Sequence, residues 1–227
     1  MFSKLWNRLV SALRNSNTLT KSTKSRSVTL RLESLEERLT PAVDKWTGGG
    51  GNALWSTAAN WSAGEPTSSS DVVFTALNNV ASSMQTAYSI NSLTIEAGYT
   101  QTITLSGDMT ISNGGEMHDG TLFGNQVIIQ ASSKFFLWDG GTISTQFTIN
   151  SNATLKIEAS ANAKIVTGGG ESGDIQNSGL VLWQPACTGD SVDLQDTAGI
   201  YNYASSRFNI MGVATTVIID SSDNTGT

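Results

Sequence analysis

The sequence predicts an all-β protein: a right-handed parallel β-helix, or solenoid, with a Trp-rich N-terminal cap, preceded by a partly helical, partly disordered leader. Three observations lead there. Charged residues make up only 14% of the 227 residues. Ser, Thr, Asn and Gly fill the difference, which suits strands and turns and not helical bundles. From Tyr88 onward, short apolar runs of period two alternate with Gly, Asn, Ser and Asp clusters, the pattern of strands and turns. Finally, Gly120-Thr121-Leu122 recurs 21 residues later as Gly141-Thr142-Ile143, and Gln126 recurs 20 residues later as Gln146. That period suits one coil of a solenoid, in which each strand stacks on its equivalent one coil on. A jelly-roll-like sandwich is the alternative. Open parallel α/β folds are excluded, because nothing between the strands is long enough for a crossover helix.

Taken in order, residues 1–43 read as a targeting leader and linker. Phe2, Leu5, Trp6, Leu9 and Leu13 fall at helical spacing, with Lys4, Arg8 and Arg14 elsewhere on the turn. This is a short cationic amphipathic helix. A polar, basic linker follows. Ser34 and Glu37 then have capping-box spacing, Leu32, Leu35 and Leu39 form one stripe, and Pro41 ends it. Residues 44–87 hold the cap and the first strands, with Trp46, Trp55 and Trp61 crowded among glycines. Residues 88–227 are the repeat body, read either as a short protein or as the N-terminal part of a longer one. Its inward residues are expected to be Ile90, Leu93 and Ile95; Ile103, Leu105, Met109 and Ile111; Leu122, Val127 and Ile129; Phe135, Leu137 and Ile143; and Phe147, Ile149, Leu155 and Ile157. Residues 167–183 read as a further, lengthened coil.

Charge narrows the function. Residues 1–45 hold nine basic and four acidic residues, and the rest hold four and fifteen. So acidic a body is a poor partner for nucleic acid, which needs clustered Lys and Arg. The single cysteine, Cys187, allows no internal disulfide and reads as a small buried hydrophobe. No apolar run approaches the ~18–20 residues of a membrane span.

Two resemblances add to this. "RLESLEERLTPA" (31–42) resembles the N-terminal leader of large planctomycete surface proteins, through Leu32, Glu33, Leu35, Glu36, Arg38, Leu39, Pro41 and Ala42. The resemblance implies a sorting or processing signal and a folded body that begins near Val43. The series Trp46-Thr47-Gly48-Gly49, Trp55-Ser56, Ala59-Asn60-Trp61-Ser62, Pro66 and Asp71-Val72-Val73-Phe74 resembles the opening of autotransporter-associated β-strand repeat proteins, and the later "WDGGTIS" resembles the Trp-x-Gly-Gly-Thr-Ile turns of such arrays. It implies an exported, surface-displayed or secreted β-helix with a structural or adhesive role.

Candidate chemistry is sparse. His118 is the only histidine, so a catalytic triad has no pattern to stand on and a zinc site lacks ligands. Asp119 and Asp139 lie 20 residues apart, so they could stack on adjacent coils. With Asp174 they are the candidates for a polysaccharide lyase or hydrolase, or for a calcium site. Trp138 and Trp183 follow apolar runs and are candidate carbohydrate contacts, the basis of a reading as a carbohydrate-binding module. The preferred expectation is a secreted or cell-surface structural or adhesive protein with no catalytic step and no cofactor. Extracellular polysaccharide or cell-envelope components would be its partners, and export machinery would read its leader.

Overall fold

In the computed structural model the described residues are 42–130, 132, 134–160, 162–168, 173–185, 191–211 and, for the backbone alone, 218–221. Leu35, Glu36, Arg38 and Pro41 of the leader motif, and Cys187, lie outside them. Ala42, the last residue of that motif, opens the first strand, β1 (Ala42–Lys45).

The strands then arrive in sets. β2 (Ser70–Phe74), β3 (Ser82–Met84) and β4 (Tyr88–Ile90) form the first. β5 (Ser92–Ile95), β6 (Thr102–Leu105) and β7 (Met109–Ile111) form the second. Next, β8 (Gly115–Met117) is followed by the long β9 (Thr121–Ile129), and β10 (Phe136–Trp138) by the long β11 (Gly141–Ile149). β12 (Thr154–Glu158), β13 (Lys164–Thr167) and β14 (Asp174–Asn177) restore three separate strands, as do β15 (Leu180–Gln184), β16 (Ser191–Gln195) and β17 (Gly199–Asn202). β18 (Arg207–Ile210) and β19 (Ile218–Ser221) come last.

Each strand pairs with its counterpart in the next set, and among the described residues every strand pairing is parallel. One sheet runs β1-β2-β5-β8-β10-β12-β15-β18. A second runs from β3 through β6, β9, β11, β13 and β16 to β19, and β4, β7, β14 and β17 join it through the second halves of β9 and β11. The chain therefore visits three columns in a fixed cyclic order. All-β parallel architecture is the outcome, and a sandwich of antiparallel hairpins is not observed among the described residues.

Register explains the core. Parallel in-register stacking puts like positions into continuous rows, and strand alternation turns every second row inward. One row is Ile103, Leu122, Ile143, Val166 and Leu194. A second is Phe74, Ile95, Met117, Trp138, Ile157 and Trp183. A third is Ile90, Ile111, Ile129 and Ile149. All of these are buried. Burying each such side chain is worth roughly 1.5–3 kcal/mol, and no single set could bury its own face alone.

The repeat read from the sequence is the register observed. Thr121 pairs with Thr142 and Leu122 with Ile143, a step of 21; beyond an irregularity near Gln146, Val127 pairs with Phe147, a step of 20. Residues 167–183 are not one coil, since they run from the end of β13 through β14 into β15 of the next set, but the chain is lengthened between β13 and β14. Val166 and Ile175 are nine residues apart, whereas their partners Ile143 and Phe147 are four apart.

One inward pair is corrected. Phe135 and Leu137 were expected inside, but Phe136 and Trp138 are buried and Phe135 is 46% exposed. Both alternating sets in "FFLW" are apolar, so periodicity alone allows either. Stacking decides, because Phe136 falls on Gly115 and Leu155, and Trp138 on Met117 and Ile157. Phe135 then lies outside, where Lys156 covers its ring at 5.1 Å.

The tryptophan cluster sits beside β1 and β3, the outermost strands of the two sheets. Trp61 stacks edge-on against both Trp46 and Trp55, with centroids 5.0 Å away in each case. Phe74 lies beneath all three. Every indole N–H has an acceptor: Trp46 donates to the Val80 carbonyl, Trp55 to Ser82 Oγ and Trp61 to the Trp55 carbonyl. Trp46 and Trp55 are fully buried and Trp61 is 5% exposed.

Candidate functional site

The residues with most chemistry gather where the chain turns from the first sheet into the second. Here His118-Asp119-Gly120 joins β8 to β9, and Asp139-Gly140 joins β10 to β11 one set later. Both turns use glycine at positive φ, +75° at Gly120 and +89° at Gly141. A Cβ at Gly141 would also lie 2.6 Å from the Asp119 carbonyl oxygen. Glycine is needed there for backbone shape and for close stacking together.

Two carboxylates of this corner have assigned partners. Asp119 accepts from the amides of Gly98, at 3.1 Å, and Gly120, at 2.9 Å. It thus stitches its own turn to that of the preceding set. Asp139 accepts from His118 Nδ1 at 2.8 Å. The other ring nitrogen, Nε2, lies 3.4 Å from Glu116 Oε2. Asn162, one set further on, donates from Nδ2 to the His118 carbonyl. His118 is therefore a link between successive layers, about a quarter exposed at its side chain.

The expected stacking of Asp119 on Asp139 is corrected by one residue. The two lie on adjacent sets at one corner, but the step of 21 aligns Asp139 with His118. Asp174 is not brought to them. It begins β14 in the other arm of the second sheet, is nearly buried, and accepts from the Gly199 amide at 2.9 Å. The three candidate carboxylates thus hold separate contacts, two backbone amides at Asp119, the histidine at Asp139 and one backbone amide at Asp174. Among the described residues no group of three His, Cys, Asp or Glu could hold a metal ion.

The candidate carbohydrate contacts are corrected as well. Trp138 and Trp183 are both fully buried, so neither offers an indole face to a sugar. Each lies in the inward row between Met117 and Ile210. The sequence cue, a Trp after an apolar run, fits an outward aromatic as well as an inward one.

A cleft of about 400 Å³ opens beside this corner. Its walls are Asp119, Thr121, Thr142, Asn162 and Ile165, with Gly120 and Gly141 between them. Thr121, Thr142 and Ile165 form one outward row on β9, β11 and β13. In the sequence these threonines stand out only as part of the repeat. Outward position at a glycine corner is the signal that marks them, and it becomes legible once the register is known. What this arrangement can do is bind: it offers hydroxyls, one carboxylate, a side-chain amide and a short apolar edge.

No known protein family, no curated protein and no solved structure matches this chain.

Proposed function

We propose that the protein is an exported or cell-surface right-handed β-helix with a structural or adhesive role and no catalytic step. The observation that carries this reading is the pairing of continuous apolar inward rows with outward rows of short polar side chains. Thr102, Thr121 and Thr142 form one outward run, which ends at Ile165, and Ser89 and Thr110 form another, which ends at Ile128. Such rows present a rigid polar face to a partner at little entropic cost. Right-handed winding follows from the twist preference of parallel crossovers. The three buried tryptophans serve as the N-terminal cap, since the outermost edge of a stack otherwise exposes apolar side chains and unpaired backbone groups. A lyase or hydrolase on the same scaffold is disfavoured because Asp119, Asp139 and Asp174 do not converge.

Export rests on the leader resemblance and the split of charge at about residue 45. The test is fractionation of the producing cell followed by N-terminal sequencing. The reading expects a chain that starts near Ala42 in the envelope or the medium. A chain with Met1 intact in the cytoplasm would overturn it.

A further inference from the structure

We infer that the cleft over Thr121 and Thr142 binds an uncharged, polyhydroxylated chain, a neutral glycan, laid along the stacking direction. The inference deepens the adhesive reading and rests on it for the kind of partner; the geometry stands by itself.

Shape comes first. The cleft takes its walls from four successive layers: Thr100 leads into β6, Thr121 opens β9, Thr142 lies in β11, and Asn162 and Ile165 flank the start of β13. Layers stack at about 4.8 Å, so three intervals span about 14 Å. A site of that length and of about 400 Å³ accommodates a few linked rings better than a single one. A peptide is a poor fit. Lying along the stack it would cross the strands, whose backbone groups already pair with neighbouring layers, so strand addition is closed to it.

Chemistry comes second. The hydroxyls of Thr121 and Thr142 have no hydrogen-bond partner among the described residues. Each can donate one bond and accept others. Asp119 uses one bond at each oxygen on backbone amides, which leaves lone pairs for ligand hydroxyls. Asn162 spends its amide nitrogen on the His118 carbonyl and keeps Oδ1. Ile165 gives an apolar edge for the C–H face of a ring. Donors and acceptors alternate with a small apolar surface, which matches a sugar.

Charge comes third. Among the described residues, Asp119 is the one ionisable member of the cleft's walls. Lys164, next to Ile165, is 2% exposed, because strand alternation turns it to the opposite face. An anionic polymer would meet a carboxylate with no cation beside it, so the selectivity is for neutral chains.

The test is calorimetric titration of the purified full chain with cellotetraose, xylotetraose, mannotetraose and, as the charged counterpart of the last, tetramannuronate. At least one neutral tetrasaccharide is expected to bind, and tetramannuronate to bind more weakly than mannotetraose. The double variant Thr121→Val/Thr142→Val removes two hydroxyls without changing shape or strand preference. It should weaken binding by about fivefold or more, the factor that two lost hydrogen bonds set at the low end of their worth. Amide shift mapping on the unaltered chain supplies a readout that needs no variant, with Gly141 and Asn162 expected to move. The inference is overturned if no neutral tetrasaccharide binds, if binding survives the double variant, if shifts fall elsewhere, or if tetramannuronate binds as tightly as mannotetraose. Its failure is separable from that of the adhesive reading, which fails when the protein is not found outside the cytoplasm, whatever the titration returns.

Discussion

Replacing Trp138 and Leu137, one at a time, by alanine tests which face of "FFLW" is inside. Trp138 is fully buried between Met117 and Ile157, while Leu137 is half-buried on the outer face. Truncating a fully buried aromatic removes transfer energy and leaves a cavity, at a cost of roughly 3–5 kcal/mol. Half a leucine's burial is worth about 1 kcal/mol. The two variants should therefore differ by about 2–4 kcal/mol. With a urea dependence near 2 kcal/mol per molar, their midpoints should separate by about 1–2 M. Far-UV circular dichroism is the assay, because it reads the strands and not the indole removed. If Leu137→Ala costs as much as Trp138→Ala, or more, the register is the opposite one and the stack is wrongly built.

Three further predictions follow from single contacts. Gly141→Ala should lower the thermal midpoint by an amount equal to roughly 1–3 kcal/mol, the cost of a non-glycine residue held at φ +89°; an unchanged midpoint would mean that the corner is not as described. Trp138 Nε1 has no hydrogen-bond partner among the described residues, whereas Trp55 Nε1 bonds Ser82 Oγ. Leaving a buried donor unpaired costs about 1–3 kcal/mol, so urea titration should find Trp138→Phe less destabilising than Trp55→Phe; equal costs would refute the difference. Burial raises the pKa of Asp44 above its ordinary value of 3.8, against opposing bonds from Ala63 and Ser62. A raised folded-state value means no penalty at low pH, where the carboxyl is protonated in both states. A penalty grows as pH climbs above 3.8 and the folded form resists ionisation. Stability measured against pH should show that decline, and Asp44→Asn should lack it. Identical profiles for the two would contradict it.

Much of the fold was legible because stacking leaves its period in the chain. The 21-residue return of Gly-Thr-apolar is the register itself, and the shortening to 20 at Gln146 marks an irregularity in the paired strands. Alternation also assigned most inward residues, including Ile103, Leu122, Ile143 and Ile149. It failed at "FFLW", where both faces are apolar and only the neighbouring layers decide. The site was less legible. Asp119 and Asp139 stood out as carboxylates 20 residues apart, yet the local step is 21, which aligns His118 with Asp139. Applying the repeat to His118 would have found that pair. Thr121 and Thr142 could not be singled out, because in one dimension a threonine in a strand reads the same whether it lines a cleft or faces open water. The carbohydrate reading therefore moves from the tryptophans, which are buried, to hydroxyls that are not.

The claim on which the rest depends is that equivalent strands lie parallel and in register, one layer apart. Nuclear Overhauser contacts in the isotopically labelled protein measure this directly. The account predicts side-chain contacts linking Leu122 to Ile143 and Ile143 to Val166, with amide-to-α contacts between the same strands. Strong α-to-α contacts across those strands, the mark of antiparallel hairpins in a sandwich, would contradict it.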